Sequence, residues 1–142
     1  MSEENSKELA DAGSFGLKAG FHAHPAISSK EFVALMERLL KDVGTRVTEE
    51  KGLMMGHIKT FVSTGQGTLK VNLIDMDIGP ETVDRLSGPT VDKGEIKFMA
   101  ALVGLDDHEV EEIMEDCLEI LEDRLELEIE EHEHDHEHEH HH

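Results

Sequence analysis

Phe32, Leu35, Met36, Leu39 and Val43 recur at three- and four-residue intervals, the spacing that gathers side chains on one stripe of a helix. Ser28-Ser-Lys-Glu31 ahead of them is a capping box, and Ile27 and Phe32 stand where a hydrophobic staple would close over it. With Gly44 in the place of a C-terminal cap, the pattern predicts a core-facing helix over residues 28–43. The same grammar returns near the other end. Asp106-Asp-His-Glu109 is a second capping box with Leu105 and Val110 as its staple. Val110, Ile113, Met114, Cys117, Leu118, Leu121 and Leu125 then form the stripe of a second helix.

Between them the period falls to two. His57, Lys59 and Phe61 alternate with Ile58, Thr60 and Val62, and Leu69, Val71 and Leu73 with Lys70, Asn72 and Ile74. Joined by Thr64-Gly65-Gln66-Gly67, residues 55–63 and 68–76 read as a hairpin buried on its Ile58, Val62, Leu69, Val71, Leu73 side. Residues 95–103 read as a third strand, apolar on both faces toward its end as an interior strand would be. Gly79-Pro80-Glu81 opens a predicted short helix through Leu86, with Pro80 at its first position. Residues 45–55 are ambiguous, with a short strand possible at 46–48 and a turn at Lys51-Gly52. Past Arg124 the helical period gives way to Leu125-Glu-Leu127-Glu-Ile129-Glu, which suits either a fraying helix or a short edge strand.

The expectation is an α+β fold, a small antiparallel sheet (hairpin plus a third strand) with two main helices packed on one face. Glycines at 13, 16 and 20 and no sustained period mark residues 1–20 as a flexible N-terminal arm. Residues 21–131 would form the single domain, and residues 132–142 a disordered tail rich in histidine and acid.

Charge sharpens that division. The chain of 142 residues carries a net −20, but residues 21–105 hold eleven acids against ten bases. Residues 106–131 hold fourteen acids against Arg124 alone. A field of that sign repels phosphate, which speaks against nucleic acid or an anionic membrane as partner and for divalent cations or a basic protein surface. No basic patch with interleaved aromatics is visible along the linear sequence. One cysteine excludes an intrachain disulfide and a thiolate zinc cluster. A polar start and no run long enough to span a bilayer lead to a cytoplasmic expectation.

The tail makes the one strong chemical claim. His132, His134, His136, His138, His140, His141 and His142 fall among Glu133, Asp135, Glu137 and Glu139. Neutral imidazole is a good ligand for nickel, zinc or cobalt, and carboxylates favour cations nearby. In an extended chain alternate imidazoles stand about 7 Å apart, too far to share an ion, so binding requires the chain to wrap. Such a site lacks preformed geometry and suits storage or delivery better than catalysis. It is similar in kind to the histidine-rich extensions of nickel accessory proteins for urease and hydrogenase. That likeness is confined to residues 132–142, because the chain has neither a P-loop nor zinc-ribbon cysteines. Two plainer readings compete: an expression tag, against which the interrupting acids speak, and a low-complexity solvated tail.

Other candidates have bland explanations. His22-Ala-His24 is a His-x-His pair without a matching downstream set, read as exposed linker. His57 and His108 read as surface residues, Cys117 as an inert core thiol, and Asp75 with Asp77 as a solvated strand end. Ser63-Thr-Gly-Gln-Gly-Thr68 joins two strands and reads as a turn, not a phosphate loop. No enzyme signature emerges. The reading is a metal-handling or buffering accessory protein, with a protein-interaction domain using its sheet or its acidic helix as the alternative.

Overall fold

The computed structural model describes residues 12–133, with side chains through Glu130. Its elements are β1 (Gly13–Ser28), α1 (Ser29–Lys51), β2 (Gly56–Thr64), β3 (Gly67–Leu73), β4 (Glu81–Leu86), β5 (Thr90–Leu102), α2 (Asp107–Glu122) and β6 (Glu126–Glu133). The strands form a single six-stranded sheet in the order β4-β3-β2-β5-β1-β6, and every neighbouring pair is antiparallel. The α+β class holds; the sheet is twice as wide as the expected hairpin plus third strand.

Both helices cover one face. Phe15, Leu17, Ala19 and Phe21 of β1, Ile96, Phe98 and Leu102 of β5, and Ile58, Val62, Leu69, Val71 and Leu73 of the hairpin are buried beneath them. The hairpin's inward side is therefore the one its alternation indicates. α1 contributes Phe32, Met36, Leu39, Leu40, Val43 and Val47, and α2 contributes Val110, Ile113, Met114 and Leu121 to the same core. Thr60 lies inside it with its hydroxyl unpaired among the described residues.

The helix starts follow their capping signals. The Glu31 N–H donates to Ser28 Oγ at 3.0 Å, while the Glu31 carboxylate turns away to Arg124 at 2.7 Å, so only half of the first box closes. The second box closes both ways, with Glu109 N–H donating to Asp106 Oδ1 and Asp106 N–H to Glu109 Oε1.

Four expectations need correction. α1 does not stop at Gly44. Val47 extends the apolar stripe by one more turn, the helix takes in residues 46–48, and Gly52 caps it in the left-handed region at φ 81°. Residues 81–86 are strand rather than helix. With β3 as a partner, six residues without helical periodicity gain a ladder running from Asn72↔Glu81 to Gly67↔Leu86. Residues 13–20 are not an arm. They open β1, which lies between β5 and β6 and pairs with both. The alternating stretch after Leu125 is the edge strand β6, one of the two outcomes expected of it; what needs correcting there is His132, whose backbone falls inside the strand rather than in a tail. Among the described residues no helix is long and apolar enough to cross a membrane.

Candidate functional site

The helices leave the second face of the sheet uncovered, and its side chains follow from strand register. Each strand alternates, so residues opposite one another point to the same side. Val83 of β4 lies opposite Lys70 of β3, Lys70 opposite Phe61 of β2, Phe61 opposite Lys97 of β5, and Lys97 opposite Lys18 of β1. One lateral row across five strands thus carries three lysines, a phenylalanine and a valine. The next row holds Glu81, Asn72, Lys59, Met99 and Gly16, and the row on the other side holds Arg85, Thr68, Ser63, Glu95 and Gly20.

Phe61 is 39% exposed, Val83 47% and Met99 50%, far more than their counterparts on the helical side. Large apolar side chains beside cations form an amphipathic surface, with Glu81 at its β4 edge, Glu95 between the strands and Glu128 along β6. Lys18 reaches Glu95 at 3.7 Å; Lys59, Lys70, Lys97 and Arg85 have no ion pair among the described residues. Lys97 directly opposite Lys18 is a like-charge pair, which costs about 0.2–1 kcal/mol relative to a neutral one. An anion laid along the row would turn that cost into attraction.

The opposite side of the molecule has the other sign. α2 holds eight acids and no base. Two of them are met by α1, Asp116 by Arg46 at 3.3 Å and Glu109 by Lys51 at 3.9 Å. The acidic helix is therefore partly answered from within the fold, whereas among the described residues most of the sheet's cations are not.

His22 and His24 lie at one end of the open side, both exposed, with ring centroids 6.3 Å apart. They belong to β1 rather than to a linker, where the pairing shifts register between His22 and Ile27. A shallow depression beside them is lined by His22, Ser63, Lys93, Glu95, Glu128 and Glu130. Among the described residues no group of three or more His, Cys, Asp or Glu side chains could hold a metal. His57 points to the open side half-buried, and His108 is exposed in the first turn of α2. Asp75 accepts from the Asp77 N–H at 2.8 Å in a turn after β3, and the 63–68 stretch is the hairpin turn, with Thr64 Oγ1 accepting from the Gln66 N–H.

Cys117 is buried on the α2 stripe. Burial pushes its thiol up from 9.0 to about 11, against an opposing pull from Arg46, with Asp42 and Asp116 adding to the rise. Arg46 is an electropositive neighbour that the linear sequence conceals, yet desolvation outweighs it, and the thiol stays protonated and unreactive at neutral pH. Of the predicted metal ligands, His132 contributes only backbone to β6, paired with Leu17. His134, His136, His138, His140, His141 and His142 lie outside the described residues.

No family model, curated protein or solved structure matches this chain.

Proposed function

We propose that the folded domain is a non-enzymatic binding module that holds an extended acidic polypeptide on the open face of its sheet. The observation that supports this is the row Lys70, Phe61, Lys97, Lys18 with Lys59 beside it: of these cations only Lys18 has an ion pair among the described residues, to Glu95, and all are set around an exposed aromatic. Neighbouring strands are about 4.8 Å apart, so a chain lying across them meets a new side chain at each strand. Lysine is a compact point charge that suits carboxylates presented one at a time. The apolar centre at Phe61 and Met99 would take the aliphatic parts of the ligand.

The test uses the full chain carrying Glu133→Gln, Asp135→Asn, Glu137→Gln and Glu139→Gln, so that its own acids do not repel the probe. A fluorescently labelled oligoglutamate peptide should bind with an affinity that falls steeply as salt is raised. Adding Lys59→Ser, Lys70→Ser and Lys97→Ser should weaken binding by tenfold or more, taking about 0.5–1 kcal/mol for each exposed charge pair. Unchanged binding by that variant would rule the reading out. The substituted lysines are exposed, so the fold should survive their removal.

A second reading is supported by one feature of the sequence, seven histidines at mostly alternate positions within residues 132–142. Under it, His132, His134, His136, His138, His140, His141 and His142 take up nickel, zinc or cobalt, with the neighbouring carboxylates assisting. Because β6 runs to Glu133, a truncation designed to remove only this activity should begin after that residue.

A further inference from the structure

β4 is one edge of the sheet, and its outer side has no strand partner among the described residues. The Ser87 N–H donates to the Gln66 carbonyl at 2.7 Å, toward β3, so by alternation the N–H and C=O groups of Thr82, Asp84 and Leu86 point outward. The Leu86 N–H is taken by Asp84 Oδ1 at 3.0 Å. Thr82 and Asp84 thus present two N–H and two C=O groups at the open edge, a template for another strand. We infer that this strand is β4 of a second copy of the chain, joined antiparallel about a two-fold axis at Val83.

The register follows from the edge itself. Outward-pointing residues bond only to outward-pointing residues, so the possible registers differ by steps of two. Centred on Thr82, the pairing sets Asp84 against Pro80, which has no N–H to donate. Centred on Asp84, it sets that carboxylate against its own copy. Centred on Val83, each Thr82 exchanges both backbone bonds with Asp84 of the other copy. On the open side, where Val83 is 47% exposed, valine then meets valine, and Glu81 meets Arg85 on both sides of the axis. Neither Glu81 nor Arg85 has an ion pair among the described residues. The edge is therefore complementary to itself, as a two-fold interface requires.

The remaining charges near the axis are Lys70, Glu37 and Lys41. Lys70 lies opposite Val83 and diagonal to Glu81 and Arg85 alike. On the helical side Asp84 comes beside Thr82 of the other copy, whose hydroxyl donates to Glu37 of α1 at 2.5 Å. Glu37 and Asp84 repel there, and Lys41, one turn along α1 from Glu37, opposes that repulsion. Most of the chain's negative charge is distant. β6, with five glutamates in eight residues, is five strand spacings from β4, about 24 Å, several times the Debye length of about 8 Å. Those glutamates also make β6 repel its own copy, so the two edges are not equivalent. In the dimer two six-stranded sheets become one, with both helical layers on the same side. The row Lys18, Lys97, Phe61, Lys70, Val83 then runs on into its copy, whatever ligand that face holds. One short strand from each copy makes a small interface, so association is reversible.

The experiment is sedimentation velocity on the full chain at about 0.15 M salt and up to about 1 mM protein, where a concentration-dependent monomer–dimer equilibrium is expected. Glu81→Arg sets arginine against arginine twice, and Arg85→Glu sets glutamate against glutamate twice. Each should weaken self-association by about thirtyfold. Mixed in equal amounts, the two variants should form a heterodimer, because each supplies the charge the other lacks. The double variant should associate like the parent chain. Both positions are exposed, so the fold should survive the substitutions. A parent chain that stays monomeric or grows past two copies would overturn the inference. So would single variants that associate like the parent, or a mixture that does not pair.

Discussion

Replacing Phe21 by alanine is expected to lower the unfolding free energy by about 3–5 kcal/mol, the usual cost of emptying a buried phenylalanine site. The ring is 1% exposed and stacks on Phe32 of α1 at 5.3 Å with 24° between the planes. Gly94 lies opposite it on β5, where a Cβ would meet the ring, and Leu127 lies opposite it on β6. One side chain thus ties α1 to the three strands at one end of the sheet. A cavity there cannot be closed by a loop, because strands flank it on both sides. A residue in a solvated arm would change stability by no more than about 0.5 kcal/mol, so the size of the effect decides whether β1 is a core strand. The chain has neither tryptophan nor tyrosine, so urea unfolding is best followed by circular dichroism.

Gly44→Leu should also destabilise, by about 1–3 kcal/mol, the typical cost of overfilling a packed site. Helix propensity alone gives the opposite sign, since leucine in place of an interior glycine gains up to about 1 kcal/mol. Packing decides. A Cβ at this position would overlap Met76 Sδ, stand 2.9 Å from Leu73 Cδ2 and lie 3.3 Å from Met54 Sδ. Met76 can yield because it is half-buried and flexible, but Leu73 is fully buried and cannot. The glycine is there to bring α1 close to the end of the hairpin. A rise in the urea midpoint of Gly44→Leu would contradict that role.

Both substitutions fall where local signals and tertiary structure part company. Gly44 carries the mark of a helix end, and only the position of Leu73 beneath it shows that it is a packing site. β1 has a period-two pattern, Phe15, Leu17, Ala19, Phe21 and Ala23 against Ser14, Gly16, Lys18, Gly20 and His22. Its glycines read as breakers along the chain. In the fold, Gly16 and Gly20 sit on the open side, and Glu130 approaches within 3.2 Å of where a Gly20 Cβ would be. β4 has no strong local preference and becomes a strand because β3 offers it an edge. By contrast, the Ser28 cap, the Asp106–Glu109 capping box, the β2–β3 hairpin and the buried stripe of α2 are local or nearly so, and are readable directly.

The candidate site divides in the same way. The histidine and acid alternation is a property of contiguous residues and is plain in the sequence. The cationic face is not. Lys18, Lys59, Lys70 and Lys97 belong to four different strands, and each is an ordinary polar position in its own alternation. Strand order and register bring them together, and neither follows from the sequence alone. A usable signal did exist: each of these four strands carries a lysine among its outward positions.

The central claim is that the open face of the sheet holds acidic polypeptide, and amide NMR during titration of oligoglutamate into the tail-neutralised full chain tests it most directly. The account predicts shifts concentrated at Lys18, Lys59, Phe61, Lys70, Lys97 and Met99, with the solvent sides of α1 and α2 unmoved. Shifts that centre on the helices, or that scatter evenly over the surface, would contradict it.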